Sequence, residues 1–385
     1  MDTLVTMNSA PRSAPAPVAD IESRIAALVA QLVTATDLGN GTCSQVLGSV
    51  REQAITSSAG GKRLRASLAL AAFNAGRLAQ KAPEGTVDHE VSWAGAADEM
   101  LDIACAIEVF QTAALVHDDI IDDSDLRRGK PSAHRALSTL THSAAIGRGL
   151  RLMIGDILAT GSIDIVRNAC ASMPQKQAQS LLAAFTNMQR EVSIGQILDL
   201  AIELSPLTDP QELTTASLNV FRWKTASYTT IAPIELGLIA SGRDAASARA
   251  MALSIGEPLG IAFQLADDVL DVVGYSANTG KPVGGDIREG KRAVLLADTL
   301  QALPEQDRND VIAMYESDSR SDDDVRHGIA LMKSTGAVER SYERINQLWH
   351  ETGRAIDSID LDDEGKHILR EVCRKFVSIA IPQGA

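Results

Sequence analysis

Apolar residues recur at helical spacing along almost the whole chain. From Asp20 onward, Ile21, Ile25, Leu28, Val29 and Leu32 fall on one stripe, which predicts an amphipathic helix with Asp20 as its N-cap. The Gly60-Gly61 pair breaks the chain before another helix near Leu64, and a long apolar stretch predicts a helix from about Ala97 to Asp122. That helix is expected to end in the charged loop Asp123–Pro131. Further helices are predicted over 142–171, 174–204, 210–226, 228–241, 244–273 and 292–302, then onward to the C-terminus. Acidic loops are expected around Asp318–Asp324 and Asp360–Glu364. Residues 79–96 are polar, with Pro83 and Gly85, and read as a loop or insertion, while the Gly- and Lys-rich Gly274–Gly290 reads as a flexible flap. There is no β-hairpin signal and no 20–50-residue repeat. The expected fold is a single all-α domain of about ten or more helices over 20–385, preceded by a Pro-, Ala- and Ser-rich arm at 1–19 that reads as disordered.

Composition supports this picture. Many Ala and Leu residues, with aromatics at only 3%, favour helix over sheet. A net charge of −14 without a basic stripe argues against nucleic acid as a partner. Cys43, Cys105, Cys170 and Cys373 are scattered without metal-ligand spacing, so they read as reduced thiols of a cytoplasmic protein. The arm lacks the apolar core of a signal peptide, and no apolar run reaches transmembrane length. A greasy substrate would therefore be met from the soluble side.

Chemistry enters with two aspartate clusters of the form D-D-x-x-D, 149 residues apart. One is Asp118-Asp119-Ile120-Ile121-Asp122, the other Asp267-Asp268-Val269-Leu270-Asp271, and both are flanked by apolar residues. Offsets i, i+1 and i+4 keep three carboxylates within about 100° of arc on a helix. Burying three such groups together is unfavourable unless cations compensate them, and carboxylates alone select hard ions such as Mg2+. Only His117 stands beside them, which argues against zinc. Facing each other, the two clusters would clamp Mg2+ ions and an anionic ligand.

Basic groups come in discrete sets. Gly60-Gly61-Lys62-Arg63-Leu64-Arg65 places three of them at a helix start, where backbone N–H groups and the helix dipole also favour an anion. Arg127 and Arg128 follow the first cluster, and Lys281, Lys291 and Arg292 follow the second. Acid triads for metal with two basic sets for phosphate imply two diphosphate-bearing substrates.

These segments, in this order, resemble those of the trans-type isoprenyl diphosphate synthases, the polyprenyl synthetase family. The resemblance covers residues from about 60 to 380 and includes both clusters, the G-G-K-R-x-R segment, Lys224-Thr225 and Phe263-Gln264. It implies a bundle of long antiparallel helices around a deep cavity, in a homodimer. It further implies that Asp118, Asp119, Asp122 and Asp267, with Asp268 and Asp271 more peripherally, bind about three Mg2+ ions that hold an allylic diphosphate. Arg127, Lys224 and Lys281 would contact that diphosphate. Lys62, Arg65 and Arg128 would hold isopentenyl diphosphate, with Gln111 where relatives have His or Gln. Thr225 and Gln264 would line the reacting carbons, and their oxygen dipoles would stabilise an allylic cation formed as diphosphate leaves. No protein nucleophile is required. Two departures leave every charge in place: Ala66 stands where relatives often have Pro, and Ala293 where a Thr is common.

Ala113 and Ala114, five and four residues before Asp118, are small where farnesyl-length enzymes of the family place a bulky aromatic. Phe110 lies about 12 Å below Asp118 along the helix, with Ile107 one turn deeper. Phe110 is the expected floor of a pocket fitting geranylgeranyl diphosphate, with farnesyl and longer products as alternatives. Rivals of another class are a terpene cyclase and a non-catalytic subunit. A cyclase has no use for Lys62 and Arg65 and normally carries a different second metal motif, and a non-catalytic subunit tends to lose Asp residues that are all present here.

Overall fold

The computed structural model describes residues 18–36, 39–79, 93–122, 126–127, 130–131, 133–274 and 283–377, without the side chains of 93–96, 126–127, 130–131 and 134. The described chain is all-α. Its first half comprises α1 (Val18–Leu32), α2 (Thr42–Ser58), α3 (Leu64–Leu78), α4 (Trp93–Ile121), α5 (Ala133–Thr141), α6 (Ala144–Ala169) and α7 (Gln175–Ile202). Then follow α8 (Pro210–Val220), a π-helix (Phe221–Ile231), α9 (Ala232–Ala240), α10 (Ala245–Val273) and the short α11 (Gly285–Glu289). Five more helices run from Val294 to Val377, the last being Asp363–Val377.

α3, α4, α9 and α10 carry long runs of small and branched apolar residues, and every residue of α9 is buried. Such all-round apolarity suits helices at the centre of a bundle. α4 packs on α6 and α3, α10 packs on the π-helix, and α3 packs on α9 and the last helix. The span Ala97–Ile121 is, contrary to the sequence reading, long and apolar enough to cross a membrane, but 67% of its most apolar window is buried inside this fold.

Several expectations need correction. α1 begins at Val18, so Asp20 sits in its first turn instead of capping it, where a carboxylate still favours the helix dipole. The expected break between 226 and 228 does not exist, because the chain is helical without interruption from Pro210 to Ala240. Ser227 and Thr230 are buried there and donate their hydroxyls back to the carbonyls of Trp223 and Ala226, at 2.6 and 3.1 Å. Leu126–Arg127 pairs antiparallel with Lys130–Pro131, a two-residue ladder inside the segment read as loop. The flap contains α11, with residues 275–282 outside the described ones, and the polar insertion narrows to 80–92, also outside. Asp322, Asp323 and Asp324 form the first turn of a helix whose N-cap Ser321 and Asp324 make a capping box. The arm at 1–17 lies outside the described residues.

Candidate active site

The bundle encloses a cavity of about 580 Å³. Asp122 at the end of α4 and Asp267, Asp268 and Asp271 on α10 border it together, so the two distant clusters meet across one hollow. Asp118 lies beside it, its Oδ1 3.8 Å from the ammonium of Lys224, a lining residue. Lys62, Arg65 and Gln111 border the same cavity, as do Lys375 and Phe376 of the last helix. One cavity thus brings both aspartate clusters together with the basic residues that could hold diphosphate.

Within the first cluster the three acids differ. Asp119 is buried and pairs with the fully buried Arg151 of α6 at 2.5 Å, so its carboxylate is directed at protein and not at the cavity. Burial pushes the Arg151 guanidinium down to about 10, with Asp118 opposing, so it stays charged at neutral pH. Asp122 is raised by burial, and further by Glu289 and Asp118, against the pull of Lys291 and Lys224.

The second cluster is also divided. Asp271 accepts the backbone N–H groups of Gly285 at 3.1 Å and Asp286 at 3.0 Å, and so ties α11 down. Burial and the nearby Asp286 nevertheless push its carboxyl up to about 6. Asp268 is buried and raised well above the ordinary carboxylate value by burial, then by Asp286 and Asp267. Its Oδ1 accepts from Gln264 Nε2 at 2.8 Å, while its Oδ2 is buried without a hydrogen-bond partner. Gln264 Oε1 in turn accepts from Thr225 Oγ1 at 2.8 Å. The expected oxygen dipole of Gln264 is therefore taken by Thr225, and the two side chains form a chain of hydrogen bonds from the π-helix to the second cluster.

An acidic pocket with raised carboxyls and an orphaned carboxylate oxygen fits a divalent cation. Among the described residues no three acids close on one point as a ready-made cage. The six-carboxylate clamp expected from sequence is corrected accordingly. Asp119 is committed to Arg151, whereas Asp122, Asp267, Asp268 and Asp271 border the cavity with Asp118 beside it, Asp271 also holding α11.

The cations are held as carefully as the acids. Lys224 donates to Asp199 Oδ2 at 2.6 Å. Burial opposes its charge, but Asp118 and Asp199 outweigh that and raise its pKa. Lys291 sits between Asp286 at 3.0 Å and Glu289 at 3.1 Å, which hold it protonated against burial. Arg65 donates to Thr229 Oγ1 at 2.8 Å and lies 4.4 Å above the Tyr228 ring. Arg63, by contrast, does not join the anion site that the glycine turn suggested. It takes the left-handed conformation at φ 50° and turns inward to Glu22 at 2.8 Å and Glu108 at 3.3 Å. The side chain of Arg127, and Arg128 and Lys281 entirely, lie outside the described residues.

The expected chain-length residues do not border the cavity. Ile107, Phe110 and Ala113 are buried and Ala114 half-buried, and the Phe110 ring meets Tyr228 edge-on at 6.4 Å. Sequence reasoning missed Asp199, Arg151, Asp286 and Lys375. A lone Arg151 within Leu150-Arg151-Leu152-Met153-Ile154 was a usable signal, because an Arg in an apolar run demands a buried partner. Lys375 carried no such signal.

Fold and cavity together define a helical enzyme that handles diphosphate esters. The chain belongs to the polyprenyl synthetase family, whose profile matches residues 49–332, and it is a trans-prenyltransferase. It is 28% identical over 315 residues to the short chain isoprenyl diphosphate synthase of Methanothermobacter thermautotrophicus, covering 82% of each chain. It is 29% identical to the geranylgeranyl diphosphate synthase of Sulfolobus acidocaldarius over 66% of this chain and 72% of that one. Among solved structures, the geranylgeranyl pyrophosphate synthase of Corynebacterium glutamicum, complexed with isoprenyl diphosphate and magnesium, superposes with a TM-score of 0.77 at 31% identity. That match covers 93% of this chain and 97% of the other.

Proposed function

We propose that this chain condenses isopentenyl diphosphate head-to-tail with allylic diphosphates (dimethylallyl, geranyl or farnesyl), with geranylgeranyl diphosphate as its main product. The observation that carries the reading is one cavity bordered by residues of both aspartate clusters and by Lys62 and Arg65. Asp118, Asp122 and Asp267, with Asp268 and Asp271 more peripherally, would hold about three Mg2+ ions at the allylic diphosphate. The metal supplies charge neutralisation of the leaving diphosphate. Lys224 and Lys291 add positive charge there, and Lys281 and Arg127 are assigned to the same diphosphate. Lys62, Arg65, Arg128 and Gln111 orient isopentenyl diphosphate.

The allylic C–O bond breaks and diphosphate leaves with the electron pair. The isopentenyl double bond attacks the resulting cation, forming the new C–C bond, and a proton passes from the adjacent carbon to the departed diphosphate. Thr225 and Gln264, linked to each other, present the Thr225 oxygen towards the cation. Asp119 acts as a positioning residue through Arg151, and Asp271 also ties down α11. The C20 product rests on the sequence pattern alone, small Ala113 and Ala114 after Phe110, none of which borders the cavity. The protein acts as a homodimer in the cytoplasm. Incubation with isopentenyl diphosphate, Mg2+ and each allylic primer tests all of this: a C20 alcohol after dephosphorylation is the expected product. No chain elongation with any primer would refute the reaction, and a dominant shorter or longer alcohol would refute the length.

A further inference from the structure

Lys224 and Thr225 stand on the only π-helical stretch among the described residues. A π-turn is wider than an α-turn, and such turns recur at functional sites because they re-aim side chains. The extra width must be accommodated by whatever packs against it. On α7 the facing residue is Gly195, where a Cβ would stand 2.2 Å from Lys224 N, 2.4 Å from Lys224 Cα and 2.5 Å from the Trp223 carbonyl carbon. All three are backbone atoms, so no side chain can swing away to make room. α10 provides the other wall with Gly260, whose Cβ would come within 2.5 Å of Ala226 Cα, and Gly256, within 2.8 Å of Ile231 Cα.

Gly195 differs from the other two because its neighbour is the backbone of Lys224 itself. One turn further along α7, Asp199 Oδ2 holds the Lys224 ammonium at 2.6 Å. The same helix therefore grips Lys224 at both its backbone and its charged end. We infer that Gly195 is a positioning residue for the prenyl transfer proposed above, on which this inference rests. By lacking a Cβ it sets where the Lys224 backbone stands, and so where the ammonium meets the allylic diphosphate. An alanine there must open a 2.2 Å approach to an ordinary contact of about 3.5 Å. That displaces Lys224 by about 1 Å, a misplacement that lowers turnover about 10- to 100-fold. Lys62 and Arg65 stand on or before α3, and Arg65 meets the π-helix at Tyr228 and Thr229, a turn beyond Lys224, without touching Gly195.

The experiment measures steady-state kinetics of the full chain with Mg2+, farnesyl diphosphate and isopentenyl diphosphate. The variants are Gly195→Ala, Lys224→Ala and both together, with Gly149→Ala as control, since nothing lies within 4 Å of a Cβ at that position. Gly195→Ala should lower kcat about 10- to 100-fold and disturb KM for farnesyl diphosphate, with KM for isopentenyl diphosphate within about twofold. In the Lys224→Ala background it should add little, because the two act through one group. Wild-type kinetics, equal damage to both substrates, or additive losses would overturn the inference. If Gly195→Ala does not fold, Asp199→Asn decides, since it removes the other hold without adding volume. An unchanged KM for farnesyl diphosphate then overturns it. Absence of transfer by the unmodified chain would remove the reaction itself and this role with it, whereas an active parent with an unaffected variant removes this role alone.

Discussion

Six aspartates of two identical motifs acquire distinct environments from their tertiary partners. Arg151 draws Asp119 away from the cavity, α11 occupies Asp271, and Asp268 keeps one buried oxygen without a partner. The consequence for pH follows from the raised carboxyls. A carboxylate whose folded pKa exceeds its unfolded value stabilises the fold below the unfolded value, and that contribution is lost as pH rises through the folded one. For Asp271 the window runs from 3.8 to about 6, with Asp268 and Asp122 shifted in the same direction. Metal-free protein should lose stability across this window, and Mg2+, which binds the ionised form, should restore it. The Mg2+-dependent rise in Tm is expected to be near zero at about pH 5 and clear at about pH 7.5. Equal rises at both would contradict the assignment. A second residue-scale outcome concerns Phe110, whose ring supports Tyr228 beneath Arg65. Phe110 does not border the cavity, so it sets product length only if the growing chain reaches past the present lining. In that case Phe110→Ala should lengthen the extracted alcohol by one or more isoprene units, and an unchanged product profile would remove Phe110 from the floor.

At the scale of elements, one buried carboxylate ties three helices together. Glu108 of α4 accepts from the N–H of Ala66 in the first turn of α3 at 3.0 Å and pairs with Arg63, which also binds Glu22 of α1. This is how the glycine turn is held so that Lys62 and Arg65 border the cavity. Glu108→Ala leaves a buried guanidinium with less compensation and an orphaned helix N–H. Denaturant unfolding should show a loss of about 3 kcal/mol, and a loss under about 1 kcal/mol would show that Glu22 alone suffices. The amphipathic and apolar spacing made α3, α4, α7 and α10 readable to within a few residues. The π-helix was not readable, because the same residues in a row suit an α-helix, a break or a π-turn. Only burial of Ser227, Thr229 and Thr230 between α7 and α10 decides among them.

For the molecule as a whole, Ile194, Ile197 and Leu200 form an exposed apolar stripe on α7, Leu204 just past its end is exposed too, and so are Leu152 and Met153 of α6. Such a face is unusual on a monomer and supports association with a second copy. Ile197 is 65% exposed, so Ile197→Asp leaves the core intact. Light scattering should show the molar mass halving from dimer to monomer, and an unchanged dimer would place the interface elsewhere.

Helical periodicity and the two D-D-x-x-D motifs determined by themselves the all-α class and a metal-assisted diphosphate chemistry. Both follow from local rules: apolar spacing sets helix faces, and three carboxylates on one turn require cations. Which carboxylates reach the cavity was decided only by the tertiary structure. A lone Arg151 on α6, an Asp199 on α7 and a missing Cβ at Gly195 carry no local mark of what they touch. Their roles exist because α6, α7 and α10 pack against the π-helix and α4, where backbone separations of a few ångströms decide which groups can meet.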